Sequence, residues 1–139
     1  MTKKKTKGSP RKRHEVDVVN LVDYFRALLN LQSVVVEVER DNDLEEAGVL
    51  AEVRSMFPYR SATVSFSPEL LDLPQERFDH VVMHEVLHVL FGSYGLLSTY
   101  DGDKTDTHSV MVESITDHLA MVLSSLHETI SFLGDMNDE

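Results

Sequence analysis

The order of hydropathy patterns along this chain predicts an α+β domain. Three observations carry that reading. Apolar residues recur at helical spacing near the start, alternate with polar residues through the middle, and return to helical spacing in the second half. The length, 139 residues, suits a single domain and is enough to bury a core without covalent staples.

The elements follow in order. Val16, Val19, Leu21, Val22, Phe25, Leu28 and Leu29 repeat with a helical period, so residues 15–30 read as an amphipathic helix. Residues 33–39 put Val34, Val36 and Val38 on one face and Glu37 and Glu39 on the other, the pattern of a half-buried strand. An acidic, turn-rich stretch at 41–46 leads to a second alternating run at 49–55, and 57–60 makes a loop. A third strand covers 62–66, with Ala62, Val64 and Phe66 inward and Thr63 and Ser65 outward. It is close enough to the second to form a hairpin. The expected sheet is small and three-stranded, antiparallel or mixed. Asp72 can cap the next helix, with Pro74 in its first turn and Gln75 three residues after the cap, and Gly92 is a natural stop. Residues 93–107 read as loop. A last helix covers about 109–132, with Met111, Ile115, Leu119, Val122, Leu126 and Ile130 on one stripe and Gly134 as its end.

Charge divides the chain. The first 13 residues hold 7 of the 13 basic residues, and all 24 acidic residues lie beyond them. The remainder carries six basic against 24 acidic residues, a net of −18. Residues 1–13 are expected to be a disordered basic tail, 14–134 a single domain and 135–139 an acidic tail. A body this acidic repels nucleic acid, so any such partner must be met by the basic tail. No stretch approaches the roughly 20 apolar residues of a membrane span, and no apolar segment follows the basic start as a secretory signal requires. The chain has no cysteine. This rules out disulfides and thiolate metal sites, agrees with a cytoplasmic setting, and leaves His, Asp and Glu as the available metal ligands.

The chemistry is concentrated in His84-Glu85-Val86-Leu87-His88, inside the second predicted helix. Residues four apart lie one turn above each other, so both imidazoles can reach one ion. Glu85 sits one step round, where it can take a proton from a metal-bound water and pass it on. Nearly every other position of the helix is apolar, and three polar groups in that setting need a partner. A hydrolytic zinc site uses three protein ligands and keeps one position open. Phe91 and Tyr94 stand where the longer metzincin pattern needs glycine and histidine. The last helix offers Glu113 instead, with Asp117 one turn on, able to accept a hydrogen bond from the free nitrogen of a zinc-bound histidine. His108 competes as third ligand. The SprT-like zincins draw a histidine from such a loop, but here Ser109 and Val112 replace the glycine and aromatic that follow it there. Glu113 is preferred because only it comes with the acceptor.

His84-Glu85-x-x-His88 followed after 25 residues by Glu113-x-x-Thr116-Asp117 resembles the gluzincin arrangement of thermolysin-like metallopeptidases, in the minimal form that keeps little beyond the catalytic half-domain. The resemblance implies a zincin-like fold with Zn2+ held by His84, His88 and Glu113. It also implies Glu85 as general base and acid, and Asp117 as the partner of His84. The substrate would be a peptide or protein, bound as an extra strand on a sheet edge, for which Ala62, Thr63, Val64, Ser65 and Phe66 are the expected edge. His108, Tyr94 and Tyr100 are the candidate donors to the oxyanion. His80 is read as lining the site or solvated. Two further readings stand beside the peptidase: a binding or assembly module that keeps the fold without strong catalysis, and a nucleic-acid-associated protease using the basic tail.

Overall fold

The computed structural model describes residues 12–56, 59–93 and 107–137. Within them the first helical pattern becomes α1 (Glu15–Leu28), whose Val18, Val22 and Phe25 are buried. Asp17 accepts a hydrogen bond from the backbone N–H of His14 at 2.7 Å, closing the first turn, and Asn30 at φ 60° closes the other end. Strand β1 (Val35–Arg40) follows, then α2 (Asp43–Ala47), β2 (Ala51–Ser55), β3 (Ser61–Phe66), a 3-10 turn at Pro68–Asp72, α3 (Gln75–Ser93) and α4 (Thr107–Asn137). The architecture is α+β, with a small three-stranded mixed sheet and flanking helices.

The short α2 lies where the sequence reads as a turn. Asp41, one residue before the N-cap Asn42, accepts from the N–H of Asp43 at 3.0 Å, and Gly48 ends the helix in the left-handed region at φ 73°. Such a turn of helix depends on its caps more than on its apolar pattern, which explains why periodicity misses it.

The sheet order is β1-β3-β2, with β1 parallel and β2 antiparallel to β3. The β2–β3 hairpin is present as expected. The edge role is not: the strand holding Ala62, Thr63, Val64, Ser65 and Phe66 is central, and its backbone groups are already committed to β1 and β2 on either side. It cannot receive a peptide. Ser65 also differs from expectation, being buried rather than outward. It stands in register between Glu39 and Glu52, whose long side chains flank it, and its hydroxyl donates to Glu39 at 3.3 Å. The inward side is apolar as predicted, Val38, Val64 and Val53 lying side by side.

Helix α3 covers that apolar side. Asp72 ends the 3-10 turn rather than capping α3, which starts after Pro74, whose carbonyl accepts from the N–H of Phe78 at 2.9 Å. The helix is buried along most of its length, including Val82, Met83, Val86, Leu87 and Val89. Its last turn lies tight against β2: a Cβ at Gly92 would stand 2.0 Å from the Ser55 hydroxyl. Burial at these sites is worth roughly 1.5–3 kcal/mol for each large side chain.

Helix α4 runs beyond its expected stop, through Gly134 to Asn137. A glycine favours helix ends but does not compel one. The predicted stripe on this helix faces away from the body. Thr116, Ala120 and Ser124 are buried, whereas Met111, Ile115, Val122, Leu126 and Ile130 are exposed and only Leu119 packs against the core. His127 reaches α1, hydrogen-bonding the Tyr24 hydroxyl at 3.2 Å and meeting Phe25 edge-on.

Arg13, counted with the basic tail in the sequence, belongs to the body. Its guanidinium donates to the carbonyls of Leu71 and Leu73 and to the Gln75 side chain, and it lies 4.2 Å over the ring of Phe78. The rest of the basic run, residues 1–11, lies outside the described residues, as do 138 and 139 of the acidic end. No helix among the described residues is long and apolar enough to cross a membrane.

Candidate metal centre

The site forms where α3 and α4 lie side by side. The four-residue spacing does what geometry demands: the rings of His84 and His88 stand with centroids 4.8 Å apart and their Nε2 atoms 3.2 Å apart. From α4, Glu113 points at both. Its Oε1 lies 3.3 Å from His84 Nε2 and its Oε2 3.0 Å from His88 Nε2. Asp117, one turn on, brings Oδ1 to 3.5 Å from His84 Nδ1. The three predicted ligands and the predicted acceptor therefore converge.

The donor set fits a metal. A tetrahedral ion with bonds of about 2.0–2.1 Å holds its ligand atoms about 3.3 Å apart. The two imidazole nitrogens stand 3.2 Å apart and each faces one oxygen of the same carboxylate, at 3.3 and 3.0 Å, so His84, His88 and Glu113 offer ligand atoms close enough together for one ion. Two neutral nitrogens and a carboxylate also form a common hydrolytic zinc set.

His80, expected from the sequence to line the site or be solvated, has a specific partner there. His80, a turn before His84, places Nε2 at 3.0 Å from Asp117 Oδ1. The signal was present in the sequence, since positions 80, 84 and 88 share one helix face. His80, His84 and Asp117 thus form a second grouping with metal-ligating atoms, but it shares His84 with the first. Both could fill together only if His84 lost both ring protons, which is costly. The geometry is better satisfied when His84 Nδ1–H donates to Asp117, leaving Nε2 free for an ion, and His80 braces the same carboxylate. His88 Nδ1 is buried and has no hydrogen-bond partner among the described residues.

The charges are arranged accordingly. Hydrogen bonds from His84 and His88 hold the Glu113 carboxyl well below the usual range. Asp117 is lowered too, first by its hydrogen bond with His80. Burial disfavours the charged form of His84, yet the hydrogen bond to Glu113 and the charges of Glu85, Glu113 and Asp117 outweigh it, so its pKa lies above the ordinary value. Glu85 is 7% exposed, and burial pushes its carboxyl upward; His88 and His84 pull it partly back, while Glu113 and Glu52 add to the rise. A carboxyl raised by burial beside two imidazoles is the kind of group that active sites use for proton transfer.

The participation of Glu52 locates β2 beside the site. Tyr94, Tyr100 and the His108 side chain lie outside the described residues. A larger groove of about 1030 Å3, lined in part by Arg13, Tyr24, Gln75 and Phe78, holds none of the converging ligands. Ligand convergence rather than groove size marks the chemistry. No protein-family model, curated protein or solved structure matches this chain.

Proposed function

We propose that the protein is a zinc-dependent metallopeptidase built on a zincin-like domain of the minimal gluzincin kind. The observation that carries this reading is the single carboxylate of Glu113 facing the Nε2 atoms of both histidines, with Glu85 buried next to them. His84, His88 and Glu113 would hold the ion. When bound, zinc supplies Lewis acidity, lowering the pKa of a coordinated water to about 7 and polarising a carbonyl.

The chain's own residues do the rest. Glu85 takes a proton and delivers it to the leaving amine, and its burial beside both histidines places its carboxyl where that transfer occurs. Asp117 fixes the His84 ring by accepting from Nδ1, and His80 holds Asp117. The substrate backbone would pair with β2 (Ala51–Ser55), which among the described residues bonds to β3 alone and lies against α3. This replaces the central strand expected from the sequence. Glu85→Gln tests the assignment. Cleavage of an unstructured protein such as casein should fall by about 10²–10⁴-fold, while bound zinc measured by elemental analysis stays at the wild-type level. Undiminished cleavage by that variant would remove the peptidase reading.

A further inference from the structure

The outer face of α4 is not accounted for by the metal site. Met111, Ile115, Val122, Leu126, Ile130 and Leu133 are between 46% and 59% exposed along it, with Val110, Met121 and Phe132 on its flank at 50–63%. Nothing among the described residues covers them. We propose that this face is the interface of a homodimer, in which two copies of the chain pack α4 against α4, antiparallel, about a twofold axis near Val122. The inference is independent of the catalytic reading.

Area is the first argument. A 31-residue helix is about 46 Å long, and the six half-exposed apolar side chains on its outer face present on the order of 600 Å2, the upper end of the largest apolar patch of a monomer and a large share of the roughly 800 Å2 per partner of a stable interface.

Charge decides the occupant. Every acidic residue described on α4 lies off this face: Glu113 and Asp117 turn to the histidines, and Glu128 lines the groove with Arg77 and His80. The helix has no Lys or Arg at all, so it lacks the basic flank with which interfacial helices meet anionic headgroups. Residues 14–139, at six basic against 24 acidic, repel a second copy everywhere except along an uncharged stripe. A stripe that is neutral along its length is self-complementary, as an isologous contact requires.

Orientation follows from the same features. α3 packs on α4 around Thr116, Ala120 and Ser124, leaving residues 129–133 exposed. Parallel pairing would bring the two acidic bodies to the same end, whereas antiparallel pairing separates them and opposes the helix dipoles. Met111 then faces the partner's Leu133, His118 faces the partner's Leu126, and Val122 faces its own copy.

Sedimentation equilibrium of the full chain should give twice the 15.8 kDa of the monomer. Val122→Glu and Leu126→Glu should each raise the dissociation constant at least hundredfold with unchanged circular dichroism, since both side chains are exposed in the single copy. The chain has no cysteine, so single introductions report contacts directly. Oxidation should link Val122→Cys to itself, should not link Met111→Cys to itself, and should link Met111→Cys when mixed with Leu133→Cys. A wild-type monomer at every concentration overturns the proposal, as does a Val122→Glu variant that remains dimeric. Self-linking of Met111→Cys overturns the antiparallel arrangement, and a monomer that floats with phosphatidylcholine vesicles assigns the face to lipid instead.

Discussion

Helices α3 and α4 each supply part of one site, yet they are held in the molecule by different means. α3 is enclosed: twelve of its nineteen residues are buried, and the sheet and α4 close around it. α4 touches the body with the small residues Thr116, Ala120 and Ser124 and with Leu119 and Leu123 beside them, and turns most of its large apolar residues away. The two histidines are therefore set on an enclosed helix, while Glu113 arrives on one that is held by a narrower contact. A close approach of the helices is what lets Glu113 span both rings, and small side chains at the contact make that approach possible.

Substitutions can break this contrast in order of size. On the enclosed helix, Leu87→Ala should cost about 2–5 kcal/mol by leaving a cavity. On the narrow contact, Ala120→Leu should cost about 1–3 kcal/mol through overpacking. It should also lower zinc content by pushing Glu113 away, which Leu87→Ala should not do in the fraction that stays folded. Denaturant titration and elemental analysis read the two effects separately. If Ala120→Leu left zinc binding untouched, the spacing between the helices would not be what positions the third ligand.

A smaller effect should come from His80→Ala, which removes the brace on Asp117 without touching a ligand atom. Zinc affinity should fall about tenfold, measured by competition with a chelator, while His80→Gln should recover part of it. The effect of pH comes last. Neutral imidazole is the metal-binding form, and the pKa of His84 lies above its ordinary 6.5 in the metal-free protein. Protons therefore compete sooner than for an ordinary histidine: affinity should be full at alkaline pH and should already be falling as pH descends through 7, by up to tenfold per unit. Glu113 adds no competition there, because its carboxyl stays ionised to far lower pH. An affinity constant from pH 8 to 6 would contradict the raised value.

Much of this was legible in the sequence, and what was not has physical causes. The spacing of His84, Glu85 and His88 fixes their relative placement on any helix, and the four-residue step from Glu113 to Asp117 does the same. The sheet could be counted but not ordered, because alternation along residues 62–66 looks alike in a central and an edge strand. The orientation of α4 was also hidden. An apolar stripe normally turns to the core, but here the side bearing Thr116 and Ala120 packs inward, with Glu113 and Asp117 on the histidine side, and Met111, Ile115 and Val122 turn outward. His80 was visible as a third histidine on the same face, and only the position of Asp117 gave it a role.

The grip of Arg13 on the carbonyls of Leu71 and Leu73 has a practical consequence. These carbonyls flank Asp72 just before Pro74 and α3, so Arg13 staples the approach to the helix that bears the histidines. Shortening the protein by twelve residues leaves that staple intact, and shortening it by thirteen pulls it out. Two truncations one residue apart should therefore differ more in thermal stability than the whole preceding basic run would suggest.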